Sequence, residues 1–407
     1  MMGLLATLML LAIAAIGHAG LVVTSYNVLN STGLRRVTIK RLEKGILLLG
    51  IAIPAAILAW EIYCGDFLIR WYDFGSWQGI SKVYAGLVAV FALVMAPFWL
   101  EARPQFAQAH HRESTQERVL WKDRDPHGKL IRGRKFARMA KLPRNEIAWT
   151  EANVKRLQLE GLPPDLIGLR IAHLSDIHLT GQMTHRYYHR AFDWIQSKRP
   201  ELIVIAGDIV DYAHALDDME GVLGGLEAPL GKLFVLGNHD KRLADPSQVC
   251  ERMDRLGWID VGCRIHRVQR GNTTLRLVGN ERPWFQRTDP RHRDSEARGT
   301  SPTENEWVIG VSHSPDQFQW GVQMGCRLLL CGHTHGGQIR FPAIGPVVAP
   351  SWYGSRYASG VFEISETLMH VSRGLSGVHP YRWGCPPEVS ILELHRDSSA
   401  HGNVAGS

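Results

Sequence analysis

Hydrophobic residues follow two different patterns along this chain. Residues 1–23 contain no Asp, Glu, Lys or Arg, residues 45–60 are also uncharged, and residues 80–100 carry one early charge, Lys82. Apolar runs of ~20 residues match the thickness of a bilayer core, and backbone groups in lipid must be bonded within their own segment. The pattern therefore predicts three transmembrane helices, about 1–23, 45–63 and 80–100, in an anchor over residues 1–100. Pro54 falls inside the second, where membrane helices tolerate it. Trp60, Tyr63, Trp71, Tyr72, Phe74 and Trp77 cluster between the second and third runs as an interfacial aromatic belt. The uncharged first run lacks the positive start of a cleaved signal peptide.

From residue 151 the texture changes to short Val-, Ile- and Leu-rich runs separated by Gly-containing turns. Residues 169–174, 202–206, 232–236, 275–279, 307–312 and 327–331 read as strands, with a helix over 185–198 between the first two. Continuous apolar runs alternating with helices predict sheets covered by helices. The later runs 360–364, 369–372 and 390–394 lack intervening helices and read as more antiparallel. Residues 151–395 form one expected domain, 101–150 a basic juxtamembrane linker, and 396–407 a disordered tail.

Charge sharpens this division. The chain has 407 residues with 46 Lys and Arg against 39 Asp and Glu, a net +7. Residues 101–144 alone hold 12 basic and 5 acidic residues, a strip suited to anionic headgroups. The first loop holds Arg35, Arg36, Lys40, Arg41 and Lys44, whereas the second holds Arg70 beside Glu61, Asp66 and Asp73. The positive-inside rule then places the first loop and everything after residue 100 in the cytoplasm, so the expectation is a multi-pass inner-membrane protein with membrane lipids as partners. The basic residues lie beside the helices, so nucleic acid is not an expected partner. The six cysteines form no CxxC pair and read as reduced thiols.

The chemistry follows the strand ends. Asp176 and His178 follow the first strand, Asp208 the second, Asn238, His239 and Asp240 the third, His313 the fifth, and His333 and His335 the sixth. Each has an ordinary reading as a cap or loop residue. Metal-ligand residue types after so many separate strands point instead to one convergent site, because parallel strands share a C-terminal edge. Nitrogen and oxygen donors without thiolate suit Mn, Fe, Zn or Mg. Three Asp or Asn side chains and four His are too many for one ion and suit two. A pair of ions lowers the pKa of a bridging water and clamps an in-line displacement at phosphorus.

The ordered set Asp176-x-His178, Gly207-Asp208, Gly237-Asn238-His239-Asp240, His313 and Gly332-His333-x-His335 resembles the calcineurin-like metallophosphoesterase superfamily. The strings Gly332-His-Thr-His-Gly-Gly-Gln338 and Tyr353-Gly…Val371-Ser-Arg-Gly-Leu375, with Pro387-Glu388 before a strand, are similar to its bacterial membrane-associated YkuE/YaeI-type branch. The resemblance implies an α/β fold, a four-layer α/β/β/α sandwich, with two divalent ions. It implies Asp176, His178 and His335 on the first ion, Asn238, His313 and His333 on the second, and Asp208 bridging. It also implies that His239 stabilises the transition state or protonates the leaving oxygen, with Asp240 orienting it.

Other residues carry weaker expectations. Arg373 and Arg382 are candidates for contact with substrate phosphate, since Arg matches phosphate bidentately. His173 reads as a packed residue or a support for the ligands, Cys331 as a strand residue, and Gly336 and Gly337 as permitting a tight backbone. Residues 281–305, with Trp284 and Phe285 near the start, read as an insertion that can act as a substrate lid. The resulting expectation is a membrane-anchored phosphoesterase acting on a phosphodiester or pyrophosphate by a metal-bridging hydroxide. The expected substrate is lipid-linked, and by analogy UDP-2,3-diacylglucosamine is a candidate. Two alternatives stand beside it, a hydrolase of soluble nucleotides or cyclic nucleotides and a non-enzymatic membrane scaffold.

Overall fold

The three apolar stretches form helices Met2–Ser31, Arg36–Cys64 and Gly79–Glu101. This computed structural model describes residues 2–64, 70–122, 129–262, 264–285, 306–377 and 379–397. All three helices are long and apolar enough to cross a bilayer, which makes the chain a multi-pass membrane protein. The first two outrun the apolar windows that announced them. Helical hydrogen bonding continues after the apolar run stops, and the eight residues 24–31 extend the first helix by about 12 Å at 1.5 Å per residue. Those polar ends project toward the remainder of the chain.

The strands form two sheets. One is built from β1 (Glu113–Trp121), β2 (Thr150–Leu159), β3 (Arg170–Leu174), β4 (Leu202–Ala206), β5 (Lys232–Val235), β6 (Trp258–Asp260) and β15 (Glu388–Arg396). Its order is β1-β2-β15-β3-β4-β5-β6, with β3 to β6 mutually parallel. The other contains β7 (Ile265–Arg270), β8 (Thr273–Asn280), β9 (Glu306–Ser312), β10 (Leu328–Cys331), β13 (Gly360–Ile364) and β14 (Thr367–Val371). Its order is β13-β14-β10-β9-β8-β7, with β8, β9, β10 and β14 parallel. The short strands β11 (Arg340–Phe341) and β12 (Gly345–Pro346) pair separately.

Each central run is apolar throughout because both of its faces are covered. Ile171, Leu202, Val204, Ala206, Leu233 and Val235 meet Leu275, Leu277, Ile309, Val311, Leu328 and Leu330 between the sheets. The alternating neighbours Ala172, Leu174, Ile203, Ile205 and Phe234 pack outward on Tyr188, Phe192 and Ile195 of helix His185–Ser197 and on Val249 and Met253 of helix Ser247–Arg255. On the far face of the second sheet, Leu329, Phe362, Met369 and Val371 are covered by Tyr357, Phe318 and Trp320. The result is two sheets flanked by helices, preceded by the membrane helices. The late strands are mixed rather than antiparallel. β13 and β14 form an antiparallel hairpin, but β14 runs parallel to β10, and β15 is parallel to β2 and antiparallel to β3.

The segment expected to be a linker differs most. Residues 113–121 form β1, the edge of the seven-stranded sheet, paired antiparallel with β2 from Glu113↔Leu157 to Trp121↔Thr150. Backbone pairing needs no apolar alternation, and polar, charged edge strands are how sheets avoid sticking to one another, so this strand reads as a stalk. The tail is shorter than expected, since β15 runs to Arg396 and the Asp397 N–H donates to the Leu159 carbonyl. Residues 398–407 and 286–305, the latter most of the expected lid, lie outside the described residues.

The edge strand generates a test. A fragment starting at residue 104 keeps β1, whereas one starting at residue 150 exposes the whole edge of β2. The shorter fragment is expected to aggregate by size exclusion and to melt at least about 5 °C lower; equal melting and elution would show that β1 is dispensable.

Candidate metal centre

The C-terminal ends of β3, β4 and β5 in one sheet meet those of β9 and β10 in the other. Asp176 and His178 come from the loop after β3, Asp208 from that after β4, and Asn238 and His239 from that after β5. His313 follows β9, and His333 and His335 follow β10. Their donor atoms fall into three overlapping groups, Asp176–His178–His335, His178–Asp208–His239 and Asp208–His313–His333, each within 4.8 Å. Asp208 Oδ2 sits between them, 3.7 Å from His178 Nε2 and 3.2 Å from His313 Nε2. Asn238 Oδ1 lies 3.2 Å from His313 Nε2, and His335 Nε2 lies 3.4 Å from Asp176 Oδ1.

The backbone is bent to achieve this. Asp176, His178, Asp208, His333 and His335 all have φ between 48° and 71°, a region costly for residues with a Cβ and concentrated at functional sites. Neighbouring glycines make room. A Cβ on Gly237 would lie 2.3 Å from Asp208 Oδ1, and one on Gly332 would lie 2.6 Å from Asp176 Oδ2. Gly336 and Gly337 have φ of 64° and 79°, so both hold the left-handed conformation expected of a tight turn.

The donor set fits cations. Asp176 Oδ1 and His333 Nε2 are buried with no hydrogen-bond partner, and two imidazole nitrogens, His178 Nε2 and His335 Nε2, face each other at 3.2 Å. Buried polar atoms normally have partners, so these orphaned donors are suited to one or two metal ions. Burial disfavours the ionised carboxylates, yet His335 and His178 hold Asp176 below the usual carboxylate range, and His313 and His239 do the same for Asp208. Burial likewise opposes charge on His178 and His313, but Asp211 and Asp176 raise His178 to about 10 and Asp208 raises His313 to about 9. Burial, then the charge of His313, pushes His333 down to about 3.

Three expectations need correction. Asp240 does not orient His239. Its carboxylate accepts the N–H groups of Ile209 (3.0 Å), Val210 (2.8 Å) and Gly237 (2.8 Å), tying the β4 and β5 loops together. Burial, then Asp208, raises it to about 7. The partner of His239 is Asp211, which takes its Nδ1 through one oxygen and His178 Nδ1 through the other, the latter at 2.8 Å. Arg373 and Arg382 are not free to meet substrate. Arg373 is ion-paired with Glu151 (2.8 Å) and Glu388 (3.1 Å). Arg382, fully buried, donates to the carbonyls of Arg373 and Ser376 and to His335 Nδ1 at 3.1 Å. Strand-end reasoning finds residues near a sheet edge but not which of them are already enclosed.

Asp211, Arg242 and Trp284 are additions. Asp211 was legible as the second acid of Asp208-Ile-Val-Asp211. Arg242 Nη2 donates to His239 Nε2. Trp284 is buried with its ring 4.7 Å from that of His333 and 5.2 Å from that of His313, forming a wall rather than an exposed lid residue. His173 lies against His370, Nδ1 to Nδ1 at 2.7 Å, and Cys331 is a buried strand residue.

A cavity of about 170 Å³ opens on the cluster. Asp208, Asn238, His239, His333 and His335 line one side, and Tyr26, Asn30, Arg36 and Lys40 of the first two membrane helices line the other. The first helix is fastened there, since buried Asn27 accepts from Ala349 N (3.0 Å), and just past the third helix Arg103 donates to the Pro346 carbonyl (2.9 Å).

Because Asp211 holds two histidines, Asp211→Asn is expected to weaken divalent-ion affinity by about 10–100-fold. Chelator competition measures this, with the melting temperature of the metal-free protein as the control. Unchanged affinity would leave Asp211 with a packing role alone.

Comparison with known proteins agrees with this geometry. The calcineurin-like phosphoesterase family model matches residues 169–337, which span β3 to the turn after β10. The metallophosphoesterase YkuE of Bacillus subtilis is 29% identical over 274 residues, 66% of this chain and 92% of that protein. The phosphodiesterase YaeI of Escherichia coli is 28% identical over 229 residues, 55% of this chain and 82% of that one. The UDP-2,3-diacylglucosamine pyrophosphatase LpxG of Chlamydia trachomatis is 24% identical over 280 residues, 56% of this chain and 84% of that one. Two sheets meeting at a buried Asp, Asn and His cluster, with a calcineurin-like phosphoesterase match over the strands that carry it, give the chain a metallophosphoesterase-like domain preceded by three helices apolar enough to span a membrane.

Proposed function

We propose that this protein is a dinuclear, metal-dependent phosphoesterase that cleaves a phosphodiester or pyrophosphate of a lipid at the cytoplasmic face of the membrane. The observation that carries this reading is the shared cavity, with the Asp208-centred cluster on one side and the polar ends of two membrane helices on the other. In this reading Asp176, His178 and His335 would hold one ion and Asn238, His313 and His333 the other, with Asp208 shared between the two sets. When bound, two divalent ions supply Lewis acidity toward a phosphoryl oxygen and acidify water near neutral pH.

The chain's own residues complete the chemistry. Asp211 fixes the rings of His178 and His239. His239 is held down to about 4, chiefly by burial, so its ring is neutral at physiological pH and, with Nδ1 on Asp211, offers Nε2 to the Arg242 guanidinium at the cavity. Trp284 excludes water behind His313 and His333. The orientation is supported by five basic residues, Arg35 and then Arg36, Lys40, Arg41 and Lys44 in the first turns of the second helix, two of which line the cavity beside the metal cluster. Positive-inside bias supports a cytoplasmic position for that side. The likeness to LpxG supports UDP-2,3-diacylglucosamine as a candidate substrate.

A panel of a monoester, a diester, a soluble nucleotide and a lipid-linked pyrophosphate, assayed with Mn, tests the reading. Diester or pyrophosphate cleavage that disappears in Asp208→Asn is expected, with two ions per chain by elemental analysis. Monoesters far better than diesters would refute the substrate class, and a protein with inert or absent ions would favour the scaffold alternative.

Metal loading is also expected to release protons. At pH 7.5, His178 and His313 lie below their values of about 10 and about 9 and hold protons, whereas coordination needs the neutral rings. Ion affinity should therefore rise with pH between 6 and 9, and calorimetry in two buffers of different ionisation enthalpy should count about one to two protons released. Zero release would contradict this set of ligands.

A further inference from the structure

One set of charges in the cavity holds no ion in the scheme above. Arg36 and Lys40 lie four residues apart in the first turns of the second membrane helix and so share one face. Arg242 approaches from the loop after β5, its guanidinium on His239 Nε2 and 3.5 Å from Asp211 Oδ1. All three line the cavity that contains Asp208, His333 and His335. Lys40 is ion-paired with buried Glu43, which also lines the cavity, steadies the ammonium and offsets part of its charge. Arg36 is exposed and has no ion pair among the described residues. The cations sense one another, since burial and then the charge of Arg36 hold Arg242 down to about 10. Like charges gathered beside a centre that would already carry two divalent ions suit an anion with more charge than one phosphate.

The cavity also has a membrane side. Tyr26 and Asn30 lie three and seven residues beyond the apolar run that ends at Val23, within about 11 Å along the helix. A headgroup in the cavity can therefore keep its acyl chains in the bilayer.

We propose that Arg36 and Lys40 of the membrane anchor form, with Arg242, a subsite for a second phosphate next to the one at the metal cluster, so that the anchor selects diphosphate-linked lipids over simple diesters. The inference rests on the phosphoesterase reading but concerns residues that the phosphoesterase domain alone does not contain.

The test uses the full-length protein in nanodiscs, loaded with Mn. It compares kcat/KM for UDP-2,3-diacylglucosamine, UDP-glucose and bis(p-nitrophenyl) phosphate between the native protein and Arg36→Ala/Lys40→Ala. The ratio of diphosphate to simple-diester kcat/KM is expected to fall about tenfold. The charge-conserving pair Arg36→Lys/Lys40→Arg should recover most of it, and Arg41→Ala, outside the cavity, should leave it unchanged. A fall for the lipid diphosphate alone identifies a membrane-borne ligand, and a fall for both diphosphates identifies a subsite that reads diphosphate from either source. An unchanged ratio, or equal loss on all three substrates, overturns the proposal. If the native protein cleaves none of them, the phosphoesterase reading fails on its own. The subsite is then judged by titrating the metal-loaded protein with inorganic pyrophosphate and phosphate. A tenfold weaker pyrophosphate affinity in the double variant sustains it, and equal affinity removes it.

Discussion

A buried carboxylate at the junction of two sheets governs this molecule. Asp208 is 1% exposed and lies within 4 Å of ring nitrogens from His178, His239 and His313. An ionised group so deeply buried is tolerable only when opposite charge surrounds it. That requirement draws loops from both sheets to one point. It also explains why five residues around it adopt left-handed backbone conformations and why glycines at 237 and 332 let neighbouring chains approach within side-chain distance. The strain and the close packing are two faces of the same demand, a cluster of donors facing inward with no room for solvent.

Support for that cluster is layered. Asp211 joins His178 to His239, Asp240 ties the β4 and β5 loops through three backbone N–H groups, and Arg382 braces His335 from the opposite side. Behind them, Arg373, Glu388, Glu151 and Lys155 form a buried ion network with the His173–His370 pair. Breaking one partner of such a network leaves an uncompensated charge, so the arginines that resemble substrate contacts in sequence serve to make the site rigid. The first membrane helix joins the same assembly through Asn27, and the residues just after the third join it through Arg103.

Much of the fold was legible in the sequence, because its signals are local. Strands β4 and β13 occupy residues 202–206 and 360–364, as their apolar runs indicate, and three apolar stretches became three long helices. The metal-ligand residue types could be read off strand ends, since parallel strands deliver their loops to a common edge. What failed were assignments that depend on a partner distant in the chain. β1 is polar and acquires its identity only by pairing with β2. Asp211 and Asp240 are both acids near His239, and nothing in their spacing says which one reaches the ring.

The sequence by itself determined the three apolar helices, where the central strands lie along the chain and which donor residue types follow them, because hydrophobic period and residue chemistry are written in consecutive positions. Tertiary structure alone decided that Arg373 and Arg382 are enclosed, that Trp284 walls the cluster and that Arg36 and Lys40 face it from the membrane. Those facts depend on the packing of segments as far as 322 residues apart, and a side chain's neighbours, unlike its type, exist only once the chain has folded.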